Sequence, residues 1–67
     1  MKIKVNGKPY ELNKIRTVSQ VLQHFEINQP SGIAVALNLH VVKRSDFEKT
    51  EINDGDEIEI IRAVQGG

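Results

Sequence analysis

The sequence predicts an α+β fold, a small mixed sheet with one main helix packed across one face. Three observations carry this. Period-two alternation marks both ends of the chain, as in "KIKVNGKPYEL" and "EIEIIRAV". A single helical spacing lies between them, in "TVSQVLQHFEI". At 67 residues there is room for one domain and one modest core.

The first element is a hairpin. Ile3 and Val5 alternate with Lys2 and Lys4, and Tyr10 and Leu12 alternate on the far side. Asn6-Gly7 between them is the pair that a tight type I′ turn favours, because both positions need φ > 0. Pro9 cannot donate a ladder hydrogen bond, so the second strand is expected at a sheet edge or to start after it. The next segment changes period. Thr17 is the expected N-cap of a helix of about three turns, with Val18, Val21, Leu22 and Phe25 on its buried side and "NQPSG" ending it.

"IAVALN" is an unbroken apolar run of strand length. Burial on both faces would make it a central, parallel strand. "HVV" is expected as a short antiparallel partner, and Phe47 and Ile52 as inward anchors of the polar stretch "KRSDFEKTEIN". "DGD" reads as a turn. In the last strand Ile58 and Ile60 alternate with Glu57 and Glu59, so the isoleucines should meet the helix. The first and last strands then pair in the middle. Ile61 and Ala63 would point to the open face, and Arg62 inward near the strand end, its guanidinium reaching water. The expected division is a folded unit over 1–64 and a tail over 65–67.

Composition excludes several functions. Nine Lys/Arg balance nine Asp/Glu, and aromatics are sparse, which argues against a nucleic-acid partner. The absence of cysteine removes disulfides, thiolate zinc sites and a cysteine nucleophile. No leader-like h-region and no run of membrane-spanning length is seen, so a soluble, cytoplasmic protein is expected. His24 and His40 lack metal-pair spacing, and Ser19, Ser31 and Ser45 lack a His–acid arrangement. No catalytic or metal site is therefore expected, nor any bound cofactor. Acidic residues crowd 46–59, with Lys49 alone against them. Two readings stand: a solvated surface, or one that steers docking onto a basic partner. Ile61 likewise reads as a stray exposed residue or an apolar docking spot.

The sequence ends in "RAVQGG". Without Cβ atoms, Gly66 and Gly67 make a thin segment with wide φ/ψ freedom. Gln65 to Gly67 spans at most about 10 Å when extended. Two readings stand: a frayed end, or a thin tail able to thread a narrow channel of another enzyme and present the Gly67 carboxylate there.

"VNG" in the hairpin, "TVSQVL" opening the helix, "IAVALN" followed by "VVKR", and "NDGDEIEIIRAVQGG" together resemble the ubiquitin-like β-grasp sulfur carriers. The resemblance covers the whole chain and is closest to the thiamine-biosynthesis sulfur carrier (ThiS) family. Phe47 stands where some relatives carry tryptophan. The related MoaD family shares fold and tail but is usually longer. The resemblance implies a carrier, not an enzyme. A ThiF-type activating enzyme would use ATP to adenylate Gly67. Sulfur from a donor such as a cysteine desulfurase would then make the thiocarboxylate, which a ThiG-type thiazole synthase would consume. Gln65 and Gly66 would be the tail, and Ile61, Ala63, Glu57 and Glu59 the candidate docking residues. A monomer is expected when free, without membrane contact. A molybdopterin-type carrier and a passive β-grasp binding module remain open alternatives.

Overall fold

The computed structural model describes residues 1–27 and 32–62. The elements are β1 (Lys2–Val5), β2 (Lys8–Glu11), α1 (Val18–His24), β3 (Ile33–Leu37), β4 (His40–Val42), a 3-10 turn at Arg44–Asp46, and β5 (Glu57–Arg62). One five-stranded sheet runs in the order β2-β1-β5-β3-β4. β1 and β5 are parallel at its centre, with Lys4 beside Glu57 and Val5 beside Ile58. The expected fold class and the central pairing are both found.

The β1–β2 hairpin turns at Asn6 (φ 52°) and Gly7 (φ 82°), the double positive φ of a type I′ turn. Pro9 sits on edge strand β2, where its missing N–H leaves no ladder bond unmade. Inward residues of three strands and the helix form the core: Ile3, Val5, Val18, Val21, Leu22, Val35 and Ile58, with Leu12, Phe47 and Ile52 filling from the connecting segments. Tyr10 meets Phe25 edge to face at 5.0 Å, tying the hairpin to the end of the helix.

Helix α1 starts where expected. Thr17 caps it, and a capping box forms with Gln20, whose side chain accepts from the Arg16 and Thr17 N–H groups. The remaining orphan donors find carbonyls of the distant loop. Val18 N–H donates to Thr50, and Ser19 N–H to Phe47.

The helix is shorter than three turns, with seven residues. Glu26 adopts φ 62°, and the Glu26 and Ile27 N–H groups donate back to Gln23 and Leu22. That is a Schellman stop, built here without glycine. It ends the helix before "NQPSG", of which residues 28–31 lie outside the described part.

The parallel assignment of the "IAVALN" strand is wrong. β3 is antiparallel to both neighbours, β4 and β5. The antiparallel pairing with β4 is as expected for "HVV"; the antiparallel pairing with β5 overturns the parallel reading. Asn38 (φ 50°) and Leu39 (φ 71°) form a second two-residue turn that returns the chain directly as β4. Nor is the run buried on both faces. Val35 is buried while Ala34 is exposed, so the apolar stretch hides an ordinary alternation, with alanines outward.

Candidate functional site

The alternation of β5 divides its residues cleanly. Ile58 is buried and Ile60 half-buried on the helix side, while Glu57, Glu59 and Ile61 are exposed on the open face. Arg62 is exposed at the strand end and lines a groove with Ile60, Val5 and Tyr10, so its inward phase with a solvated guanidinium is as expected. Three of the four expected docking residues are thus brought together. The fourth, Ala63, lies outside the described residues, as do Val64, Gln65, Gly66 and Gly67.

Register extends this face across the sheet. Ile61 stands opposite Ala34, Glu59 opposite Ala36, and Ala36 opposite Val41. Val41 is 79% exposed, Leu39 84% and Ile61 55%. The result is an apolar band from β5 to the β4 edge, floored by two alanines and flanked by Glu57 and Glu59. On the other flank Lys4 adjoins Glu57. Sequence reading found Ile61 but missed Leu39 and Val41. Their exposure follows from β4 being an edge strand after a two-residue turn, and no glycine announces that turn.

Part of the acidic stretch has structural work. Asp54 Oδ1 accepts from the Lys2 N–H at 2.6 Å. Asp56 accepts from the Asn53 N–H (2.7 Å) and from Asn38 Nδ2 (3.0 Å). These two carboxylates hold the turn before β5 rather than standing free for a partner. Glu57 and Glu59 carry no such bond among the described residues and are the acidic groups left on the open face of β5.

Two asparagines clamp β5. Asn38 Oδ1 accepts from the Glu57 N–H at the strand's start. Asn6 Oδ1 accepts from the Ile60 N–H at 2.8 Å, and Asn6 Nδ2 donates to the Ile60 carbonyl at 3.3 Å. Sequence reading took Asn6 as a turn former and Asn38 as the end of the apolar run only.

Among the described residues no group of three His, Cys, Asp or Glu side chains is placed to hold a metal ion. His24 and His40 are exposed, on the helix and at the start of β4. No helix among these residues is long and apolar enough to cross a membrane.

Comparison with known proteins agrees with this architecture. Residues 3–67 match the ThiS family. The crystal structure of the thiamine biosynthesis protein ThiS from Geobacter metallireducens superposes with a TM-score of 0.85 at 32% identity, covering all of both chains. The sulfur carrier protein ThiS of Escherichia coli K12 is 28% identical over the full length of both chains. A thiazole synthase of Paramagnetospirillum magneticum is 31% identical over all 67 residues, which span only 20% of that longer protein.

Proposed function

The chain belongs to the ThiS family and is a sulfur carrier of thiamine biosynthesis rather than an enzyme, and from that premise we propose that the Gly67 carboxylate is the group that carries the sulfur. The observation that supports this most strongly is the full-length likeness to the Geobacter protein, joined to the Gly66-Gly67 pair a few residues past β5 in sequence.

The chemistry follows from the weakness of a carboxylate as an electrophile. Attack of the Gly67 carboxylate on the α-phosphate of ATP, held by an activating enzyme of the ThiF type, releases pyrophosphate and leaves an acyl adenylate. The outer sulfur of a donor persulfide, such as that of a cysteine desulfurase, then attacks the acyl carbon, AMP departs and an acyl disulfide is left. A cysteine thiol of the partner set cleaves its S–S bond, forming a disulfide with the donor cysteine and freeing the thiocarboxylate. The thiocarboxylate so formed is the sulfur source for a thiazole synthase of the ThiG type. The carrier supplies no acid, base or metal and binds no cofactor of its own. Gln65 and Gly66 would let Gly67 reach a buried site while the folded body stays outside, since this segment spans at most about 10 Å.

For recognition, we assign the open face to docking: Glu57, Glu59 and Ile61, with Leu39 and Val41 extending it and Ala63, next after Arg62 in sequence, as a further candidate. A sequence related to this whole chain also occurs within a protein named thiazole synthase, which favours the thiazole route over a molybdopterin route.

Incubation with the activating enzyme, ATP and a sulfur donor should shift the intact mass by the difference between sulfur and oxygen. Removal of Gly67, or extension beyond it, should abolish that shift while the circular dichroism spectrum stays unchanged. Undiminished loading of such variants would refute the role of Gly67.

A further inference from the structure

The parallel pairing of β1 with β5 ends early. Its last backbone bond runs from the Asn6 N–H to the Ile58 carbonyl at 2.9 Å. Beyond that point β1 turns away at Asn6-Gly7, while β5 continues to Arg62, paired on its other side with Ile33 of β3. In a strand the N–H and C=O of one residue point the same way, so the next groups of β5 to face β1 are those of Ile60. No β1 backbone is left to meet them.

The Asn6 side chain meets both. Its carboxamide accepts the Ile60 N–H at 2.8 Å and donates to the Ile60 carbonyl at 3.3 Å. A planar primary amide offers one acceptor and one donor, as a peptide unit does, and so extends the ladder by one step. The position makes two demands at once. Its φ of 52° suits glycine, asparagine or aspartate. The two-way bond requires an amide, which glycine and aspartate lack. Asparagine satisfies both.

Ile60 lies two residues before Arg62, the last described residue, and Gly67 is seven positions on from Ile60 in sequence. We propose that Asn6 is a positioning residue for sulfur loading: by holding Ile60 to the β1 side of the sheet, it fixes where the segment leading to Gly67 leaves the domain. Resting on the carrier reading above, this adds a residue 54 positions from Ile60 in sequence to the loading machinery. With the clamp in place, the partner enzyme receives a strand end already ordered on both sides. Without it, the final residues of β5 must be ordered during entry into the partner's site. Docking of the open face is unaffected, since Glu57, Glu59 and Ile61 point away from the helix side.

The test uses the full chain with Asn6→Gly, which keeps the positive φ and removes the amide, and Asn6→Asp, which keeps size and acceptor but loses the donor. Two quantities are read: hydrogen exchange at the Ile60 amide, and the kcat and KM of thiocarboxylate formation by the activating enzyme, at a temperature where each variant is folded. In Asn6→Gly, Ile60 exchange should rise on the order of tenfold while Val35 stays protected. The kcat should fall on the order of tenfold with KM within about twofold. Asn6→Asp should fall in between. A role in stability alone would lower the melting temperature and leave kcat untouched. If the unaltered protein loads and both variants load at its kcat, the Asn6 proposal is overturned and the carrier reading stands. If the unaltered protein takes no sulfur from a competent partner set, the carrier reading falls and takes the proposal with it. Unchanged Ile60 exchange in both variants overturns the clamp itself.

Discussion

Asn38 and Glu57 are bonded twice. The Asn38 N–H donates to the Glu57 carbonyl at 2.8 Å, and the Glu57 N–H donates to Asn38 Oδ1 at 2.9 Å. Asn38 Nδ2 also donates to Asp56 Oδ1. The turn between β3 and β4 is thereby locked to the start of β5, opposite the end that Asn6 holds. Asn38→Gly keeps the positive φ but deletes the side-chain bonds, and should cost about 1–2 kcal/mol. Asn38→Ala adds the strain of a Cβ at φ 50°, about 1 kcal/mol more. Urea midpoints should fall in the order native, Gly, Ala. Since a domain of this size holds roughly 3–5 kcal/mol, the alanine variant should be partly unfolded in buffer. Equal midpoints for native protein and Asn38→Gly would show that the side-chain bonds add nothing.

The capping box allows a second stability test. Thr17 Oγ1 accepts from the Gln20 N–H, and Gln20 returns its side-chain oxygen to the Thr17 N–H. Thr17→Ala should cost about 1 kcal/mol. Gln20→Ala should cost less, because Gln20 is exposed and alanine is the better helix former. Because these bonds are reciprocal, the double variant should lose less than the two singles summed. A double-mutant cycle by thermal melting measures this, and strict additivity would show that the two bonds act independently.

The parts of this fold that were legible in the sequence share a property: their signals are local. Asn6-Gly7 announces its turn, Thr17 its helix, and the Glu-Ile alternation of β5 its two faces. The open face followed as far as Glu57, Glu59 and Ile61 because period two alone fixes it. What escaped depends on distant or atypical partners. Helix length was misjudged because Glu26, not a glycine, takes the left-handed stop. The orientation of β3 was misjudged because outward Ala34 and Ala36 made a one-sided strand read as an apolar run buried on both faces. The clamps were invisible because Asn6 and Ile60 meet only once the parallel pair has formed, and a turn signal already accounted for the asparagine.

Leu39 is in the position of its turn that Gly7 holds in the other hairpin. It has φ 71° and is 84% exposed, so its side chain adds strain and little burial. Leu39→Gly should raise stability by about 0.5–1 kcal/mol, relief of strain outweighing the entropy of a new glycine. If the leucine serves docking, the same variant should bind the activating enzyme less tightly while melting higher. Calorimetric binding beside thermal melting reads both. A variant both stabler and equally tight would remove Leu39 from the interface.

Ile61 is the sharper test of the face, because it lies beside the segment that leads to Gly67. It is 55% exposed, opposite exposed Ala34, and outside the core. Ile61→Asp should therefore change stability by no more than about 0.5 kcal/mol. Under the proposed docking role of this face, replacing the apolar side chain by a charge should weaken binding of the activating enzyme on the order of tenfold or more. Glu57 and Glu59 add a separate signature. If they meet basic residues of the partner, affinity should fall as salt rises, and more shallowly for Glu57→Gln/Glu59→Gln than for the native chain. The two arms separate the forces at the face. Loss of affinity in Ile61→Asp with a flat salt response would leave an apolar interface with solvated acids around it. A steep salt response with unchanged affinity in Ile61→Asp would place recognition on the glutamates alone.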